Sequence, residues 1–424
     1  MTAPGRTPHD DPQSTRTLLA HLGAAMIATG QPVHEIQQDL TAVSRHLGHP
    51  DVQIGAGPTS ITLALRSGGP ATFELVTQPL RLDQAADVRR ILYQLRTDEI
   101  SRNAAYAELA ALRGLPTLYP RWLVHVATVG VAVGIALILQ PGWPNLLAAA
   151  FCAVVVQALV WVGRRTDLLM TLLPTVAAFT VTCLVFASAD LGLLDGPLRT
   201  VLPPLAVLLP GALMVTGMSE LAAGHMQAGS ARLIYGAVQL GLFALGLVAA
   251  VTLLEVPPSL LANVRVDDIG WWAAPTGLVL IGVGICLMES VPLRSVPWIL
   301  VVLVGAFAAQ SLGQGVGHAG LGGFFGAIAA SLGAALVEAR RPQLARLVVF
   351  LPSFWLLVPG SLGLLGVSQL VSDPAQALDL GLGVVVVVCA IALGLLVGSA
   401  LARPLSDLVR RRPAQTSARS GPAR

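Results

Sequence analysis

Residues 207–221 read VLLPGALMVTGMSEL and residues 356–370 read LLVPGSLGLLGVSQL, and both stretches lie inside long apolar runs. Seven positions coincide at one offset of 149 (359 against 210), among them Pro210 with Pro359, Gly211 with Gly360, Gly217 with Gly366 and Ser219 with Ser368. A proline removes a backbone donor and clashes with the preceding turn, and the following glycine relaxes the chain, so a membrane helix should kink or unwind there. The same Pro-Gly break at matching places in two halves of a membrane chain points to discontinuous helices around a shared central site. The competing reading is a packing kink that arose twice, with backbone groups re-satisfied by neighbouring helices.

Working outward, the composition supports a membrane setting. Hydrophobic residues make up 54% of the 424, charged residues 12%, and the mean hydropathy is +0.72, values that a water-soluble fold of this length cannot hide. All 26 basic residues are Arg, and the net charge is +3. Cys152, Cys183, Cys286 and Cys389 fall in apolar segments without CxxC spacing, so they read as packing residues rather than a disulfide framework or a metal site. No signal peptide is evident, because the apolar run 18–29 is interrupted by His21. Walker, GxSxG, HExxH and strand-placed GxGxxG signatures are missing, so neither an enzyme nor a bound cofactor is indicated, and uphill transport would need an ion gradient or a partner subunit. Nothing in the charge pattern suggests a nucleic-acid partner.

The expected fold is an all-α polytopic membrane protein preceded by a small α+β cytoplasmic domain. Residues 1–13 are expected to be disordered and 14–121 to form the soluble domain. In that domain two helices precede two strands, SITLALRSGG and ATFELVTQP, joined by a turn at 67–70, and one further helix covers 85–112 with Asp98 and Arg102 on its wet face. Ten apolar segments follow, near 122–140, 145–163, 167–187, 198–217, 230–252, 270–288, 294–313, 319–338, 346–366 and 377–401. They divide into a first five-helix module (122–252), an extracytoplasmic connector (253–269), a second module (270–401) and a basic cytoplasmic tail (402–424). With both termini inside, Arg164, Arg165, Arg232, Arg294, Arg340, Arg341 and Arg346 fall on cytoplasmic loops, and only Arg199 and Arg265 fall outside. Because five is odd, the second module enters from the opposite face, which makes the duplication an inverted repeat.

Candidate site residues follow from the breaks. Pro210, Gly211, Thr216 and Ser219, with Pro359, Gly360, Ser361 and Ser368, are the candidate substrate-binding positions, since freed backbone groups, hydroxyls and a positive helix end suit a zwitterionic amino acid. Glu220 and His225 are the candidate proton-coupling groups. The competing reading of Glu220 is an acid solvated at a cytoplasmic helix end, and Glu289 and Glu338 are read as solvated in that way. His125 and Gln157 are polar side chains inside the first two spans, and interhelical hydrogen bonding is their commoner role.

The segment LLPGALMVTGMSELAAGHMQAGSARL (208–233) resembles the signature of bacterial threonine/serine exporters, and RPQLARLVVFLPSFWLLVPGSLGLLG (341–366) resembles that family's second membrane module. LLAHLGAAMIATGQPVHEIQQDLTAVSRHLG and RTDEISRNAAYAELAALRGLPTLYPRW look like its cytoplasmic domain. The resemblance implies a ten-helix secondary exporter of threonine and serine in the bacterial cytoplasmic membrane, driven by the proton motive force, with protons and the lipid bilayer as its other partners and a homo-oligomer left open. It matches the family pattern at Pro210, Gly211, Glu220, Gly224, His225, Gly229, Arg232, Pro359, Gly360 and Ser361. Export of a small dicarboxylate such as succinate is the alternative, and a membrane sensor that transports nothing is the reading from another class.

Overall fold

The computed structural model describes residues 12–357 and 382–404, apart from 77, 317–318, 342–345, 384 and 403. The second Pro-Gly element, with Pro359, Gly360, Ser361 and Ser368, lies outside the described residues, as do the first residues of the N-terminal tail and most of the basic tail.

The N-terminal domain packs α1 (Pro12–Ala28), α2 (Val33–His46), α3 (Leu82–Arg96) and α4 (Arg102–Ala111) around an antiparallel sheet of β1 (Gln53–Ala56), β2 (Ser60–Ala64) and β3 (Ala71–Leu75). Strand β2 is central and alternates, so Ile61 and Leu63 point into a core built from Leu18, Leu22, Ile36, Leu40, Val88 and Ile91. The sheet has three strands where the sequence suggests two. In β1 only Ile54 is large and apolar, which gives too short a pattern to register as a strand. The single helix expected over 85–112 is in fact two. Asp98 takes a left-handed φ of 56°, and Ser101 then restarts the chain by accepting from Ala104 N–H as the α4 N-cap.

Among the described residues, seven helices are long and apolar enough to cross a membrane: α5 (Arg121–Leu139), α6 (Trp143–Gly163), α7 (Asp167–Asp190), α11 (Met226–Leu253), α13 (Val296–Val316), α14 (Ala319–Arg340) and α16 (Val385–Ala402). A bent helix pair adds an eighth candidate, as a broken span or a re-entrant loop. The run PLRTVLPPLAVLLPG (197–211) yields α8 (Pro197–Thr200), α9 (Leu202–Leu205) and one 3-10 turn, then α10 (Gly211–Ala222) bent away by 66°. The expected sixth span is α12 (Ala273–Met288), whose 16 residues fall short of the ~20 that a crossing requires. The ninth begins as α15 (Arg346–Leu357) and then leaves the described residues.

Helices α5 and α12 cross in backbone contact. A Cβ built on Gly134 would lie 2.8 Å from the Gly277 carbonyl, and one on Gly277 would lie 2.6 Å from the Gly134 carbonyl. At the end of the bundle away from the N-terminal domain, Asn145 Nδ2 donates to Asp195 O and Thr200 Oγ1 at 2.7 Å each, and the Gln140 carboxamide bonds Gly196 and Val264–Val266. These bonds tie the connecting loops together. His125 and Gln157 bond each other across α5 and α6, the structural role that such groups commonly take.

Candidate functional site

The break before α10 forms one wall of a cavity of about 830 Å³. Leu209, Pro210, Leu213, Thr216 and Ser219 line that wall together with Arg232 of α11. Ser331, Glu338, Arg346 and Ser399 line the opposite wall, from α14, α15 and α16. The N-terminal domain roofs the space through Gly30, Gln31, His34, Asp39 and Arg89. The first-half candidates Pro210, Thr216 and Ser219 are thus brought together at one surface. Gly211 is buried in the first turn of α10 behind them. The Ser219 hydroxyl donates to the Thr216 carbonyl at 2.8 Å and keeps an acceptor lone pair.

Glu220 is not solvated. Its side chain is fully buried, and Oε1 takes an ion-pair bond from Arg232 Nη1 and a 2.9 Å bond from Val33 N–H. Oε2 is buried with no hydrogen-bond partner. Two local features produce this arrangement. Gly217 and Gly229 let α10 and α11 approach backbone to backbone, which sets Arg232 beside an acid twelve positions earlier in the chain. Pro32, the N-cap of α2, offers no side-chain acceptor, so the first N–H of that helix is satisfied by Glu220 from another part of the chain. Arg232 was legible as a family position but not as this partner. The sequence signal was the pair of glycines facing each other across the Gly224 turn, whose φ is 87°. His225 forms the N-cap of α11 and stacks on His34 of the domain with ring centroids 6.1 Å apart.

Glu289 and Glu338 also hold the domain rather than sitting in water. Glu338, 18% exposed, lies 3.5 Å from Arg89 Nε, while Arg89 Nη1 bonds Asp39 at 2.8 Å. Glu289 follows α12 and faces the first turn of α3, where the Leu82 side chain packs among Cys286, Val291, Ile299 and Val348. Tyr119 Oη adds a 3.0 Å bond to Val291 O. The membrane helices therefore present carboxylates to the starts of both α2 and α3.

Burial pushes the Glu289 carboxyl above the ordinary carboxylate range, Leu82 N–H works against that rise, Asp83 adds to it, and Arg81 opposes it. A group raised in the docked state favours docking while protonated. Its contribution is full below the free carboxylate value and is lost as pH rises through the docked value. Glu289→Gln keeps an acceptor for Leu82 N–H without the buried charge. It should therefore slow amide exchange in the first turn of α3 at neutral pH and flatten the pH dependence of that exchange. Equal pH slopes in both proteins would refute this.

A break-lined cavity, a buried acid and a docked domain can belong to several membrane chemistries. A family profile described as "Putative threonine/serine exporter" matches residues 17–254, more than half of the chain and the whole of the α10–α11 hairpin. The chain belongs to the threonine/serine exporter family. A curated relative from Mycobacterium tuberculosis, "Probable threonine/serine exporter", is 26% identical over 412 aligned positions that cover 87% of this chain and 74% of that protein. No solved structure matches. The threonine/serine exporter family is a transporter family and not an enzyme family, which fits a site built from helix ends, hydroxyls and paired charges.

Proposed function

We propose that the chain exports threonine and serine from the cytoplasm, and that the cavity behind the α10 break is the substrate vestibule on the cytoplasmic side. The observation that carries this reading is the cavity itself, walled on one side by Pro210 and Thr216 and roofed in part by the N-terminal domain. Its volume is ample for a small zwitterion. α10 begins at the cavity wall, so its positive end suits a carboxylate, and the Thr216 and Ser219 oxygens suit the substrate hydroxyl.

Coupling to protons is assigned to Glu220. Its unsatisfied Oε2 is a place for a proton, and protonation would weaken both the Arg232 pair and the bond from Val33 N–H that holds the domain down. His225, stacked on His34, lies at the same junction. Alternating access is assigned to an inverted five-plus-five repeat. Two matched contacts support it. Gly246 of α11 abuts the Thr175 carbonyl of α7, and Gly394 of α16 abuts the Phe324 carbonyl of α14; the carbonyl residues differ by 149, the offset that relates the Pro-Gly elements, and the glycines by 148. The arginine distribution supports both termini facing the cytoplasm of a bacterial cell.

Dicarboxylate export is less favoured, because Arg232, the cation beside the break, is already neutralised by Glu220. The test is efflux of labelled threonine, serine and succinate from preloaded proteoliposomes, with and without an imposed pH gradient. Gradient-dependent loss of threonine and serine is expected. Loss of succinate alone would transfer the reading to dicarboxylates, and no flux of any solute would remove the transport reading.

A further inference from the structure

Arg346 opens α15 and lies across the cavity from Pro210. Its Nη2 donates to Ser331 Oγ at 2.6 Å. Ser331 is fully buried on α14, nine residues before that helix ends at Arg340, which at ~1.5 Å per residue is roughly 13 Å along the axis. The guanidinium therefore reaches in among the helices, where an ionisable group needs a partner or a purpose.

Its neighbours are matched and it is not. Arg232 is paired with Glu220, and Arg89 with Asp39 and Glu338, whereas among the described residues no carboxylate pairs with Arg346. A serine hydroxyl accepts one of its five N–H donors and neutralises nothing. Among the described residues, Arg346 is thus the cavity-lining arginine that no carboxylate bonds, with its planar fork oriented by Ser331.

We propose that Arg346 is the carboxylate anchor of the cavity, taking the α-carboxylate of the exported amino acid in the bidentate geometry that guanidinium groups favour. This inference rests on the transport reading and deepens it by naming the group that is recognised. One unmatched cation suits one carboxylate. A second carboxylate would face Glu338 and Asp39, whereas an α-ammonium would be welcome there. Ser331 is then a positioning residue, because it fixes the angle of the fork.

The test compares threonine with threoninamide, which lacks the carboxylate, on the full-length protein in proteoliposomes. Wild type should take threonine in preference to the amide. Arg346→Gln should raise the KM for threonine about tenfold or more, the effect of losing a charge-assisted hydrogen bond, while leaving inhibition by threoninamide unchanged. Arg346→Lys should retain part of the preference, and it carries the same comparison if the glutamine variant does not fold. A purely structural role would move both ligands equally. An unchanged threonine KM in a folded Arg346→Gln protein overturns the anchor. If wild type moves no amino acid, the transport reading fails, and thermal stabilisation decides the site: a shift with threonine or lactate that depends on Arg346 retains it, and no carboxylate-dependent shift removes it.

Discussion

Arg232→Met on its own should cost about 3–5 kcal/mol of stability, because it leaves the Glu220 carboxylate buried without its counter-charge. Glu220 is fully covered, and its second oxygen already lacks a partner, so the structure has no spare donor with which to compensate. Val33 N–H alone remains, a single hydrogen bond from an uncharged donor. Neutralising both partners by Arg232→Met with Glu220→Met should recover most of the loss, since two apolar groups of similar volume require no desolvation of charge. The recovered protein would still lack the acceptor for Val33 N–H, and so it should keep a loosened domain. Thermal unfolding of the two single variants and the double variant in detergent, with amide exchange at the start of α2, measures both effects. Additive losses in the double variant would show that the pair is not a closed unit.

The double role of Glu220 explains which parts of the site could be read from sequence. The Pro-Gly break was legible because proline and glycine act on their own backbone, and Pro210 bends the chain whatever surrounds it. The N-terminal helices were legible in outline because amphipathic patterns such as Val33, Ile36, Leu40 and Val43 encode a local period. What failed depended on contacts distant in sequence. Glu220, Glu289 and Glu338 each stand at or near the end of an apolar run, where water is the default neighbour. Each is instead covered by a domain that begins about two hundred residues earlier for Glu220, a separation of 187 to Val33.

Broken spans expose a second limit. Counting apolar residues gives a full crossing for 198–217, but Pro203, Pro204 and Pro210 divide it into short pieces whose direction changes by 66°. Apolar length also overstates α12, where the run from 270 to 288 includes a left-handed Gly270 and a turn before the helix starts at Ala273. Hydropathy measures the affinity of a segment for lipid, whereas the path it takes is set by backbone donors and steric limits.

Gly229→Leu should abolish the folded α10–α11 hairpin, and even Gly229→Ala should destabilise it by a net amount near 2 kcal/mol. A Cβ at this position would sit 2.6 Å from Gly217 O and 2.7 Å from Leu221 N, both of them backbone atoms that cannot rotate away. Gly217→Ala meets the same obstacle from the other side, at 2.8 Å from Gly229 O and 2.9 Å from Leu233 N. Two effects compete. Alanine gains up to about 1 kcal/mol of helix propensity over glycine. Overpacking costs about 1–3 kcal/mol where the neighbours can shift, and a main-chain neighbour puts the cost at the upper end. Packing should therefore win at 217 and 229. Gly241 is the control, since it lies on the same helix with nothing within 4 Å of a built Cβ, and Gly241→Ala should be neutral or mildly stabilising. Comparing melting temperatures for the three alanine variants tests this directly, and a Gly229→Ala protein as stable as Gly241→Ala would mean that the helices do not meet at these glycines. Because the same approach of helices sets Arg232 against Glu220, the glycine variants should also lose the protection of α2 that depends on that carboxylate.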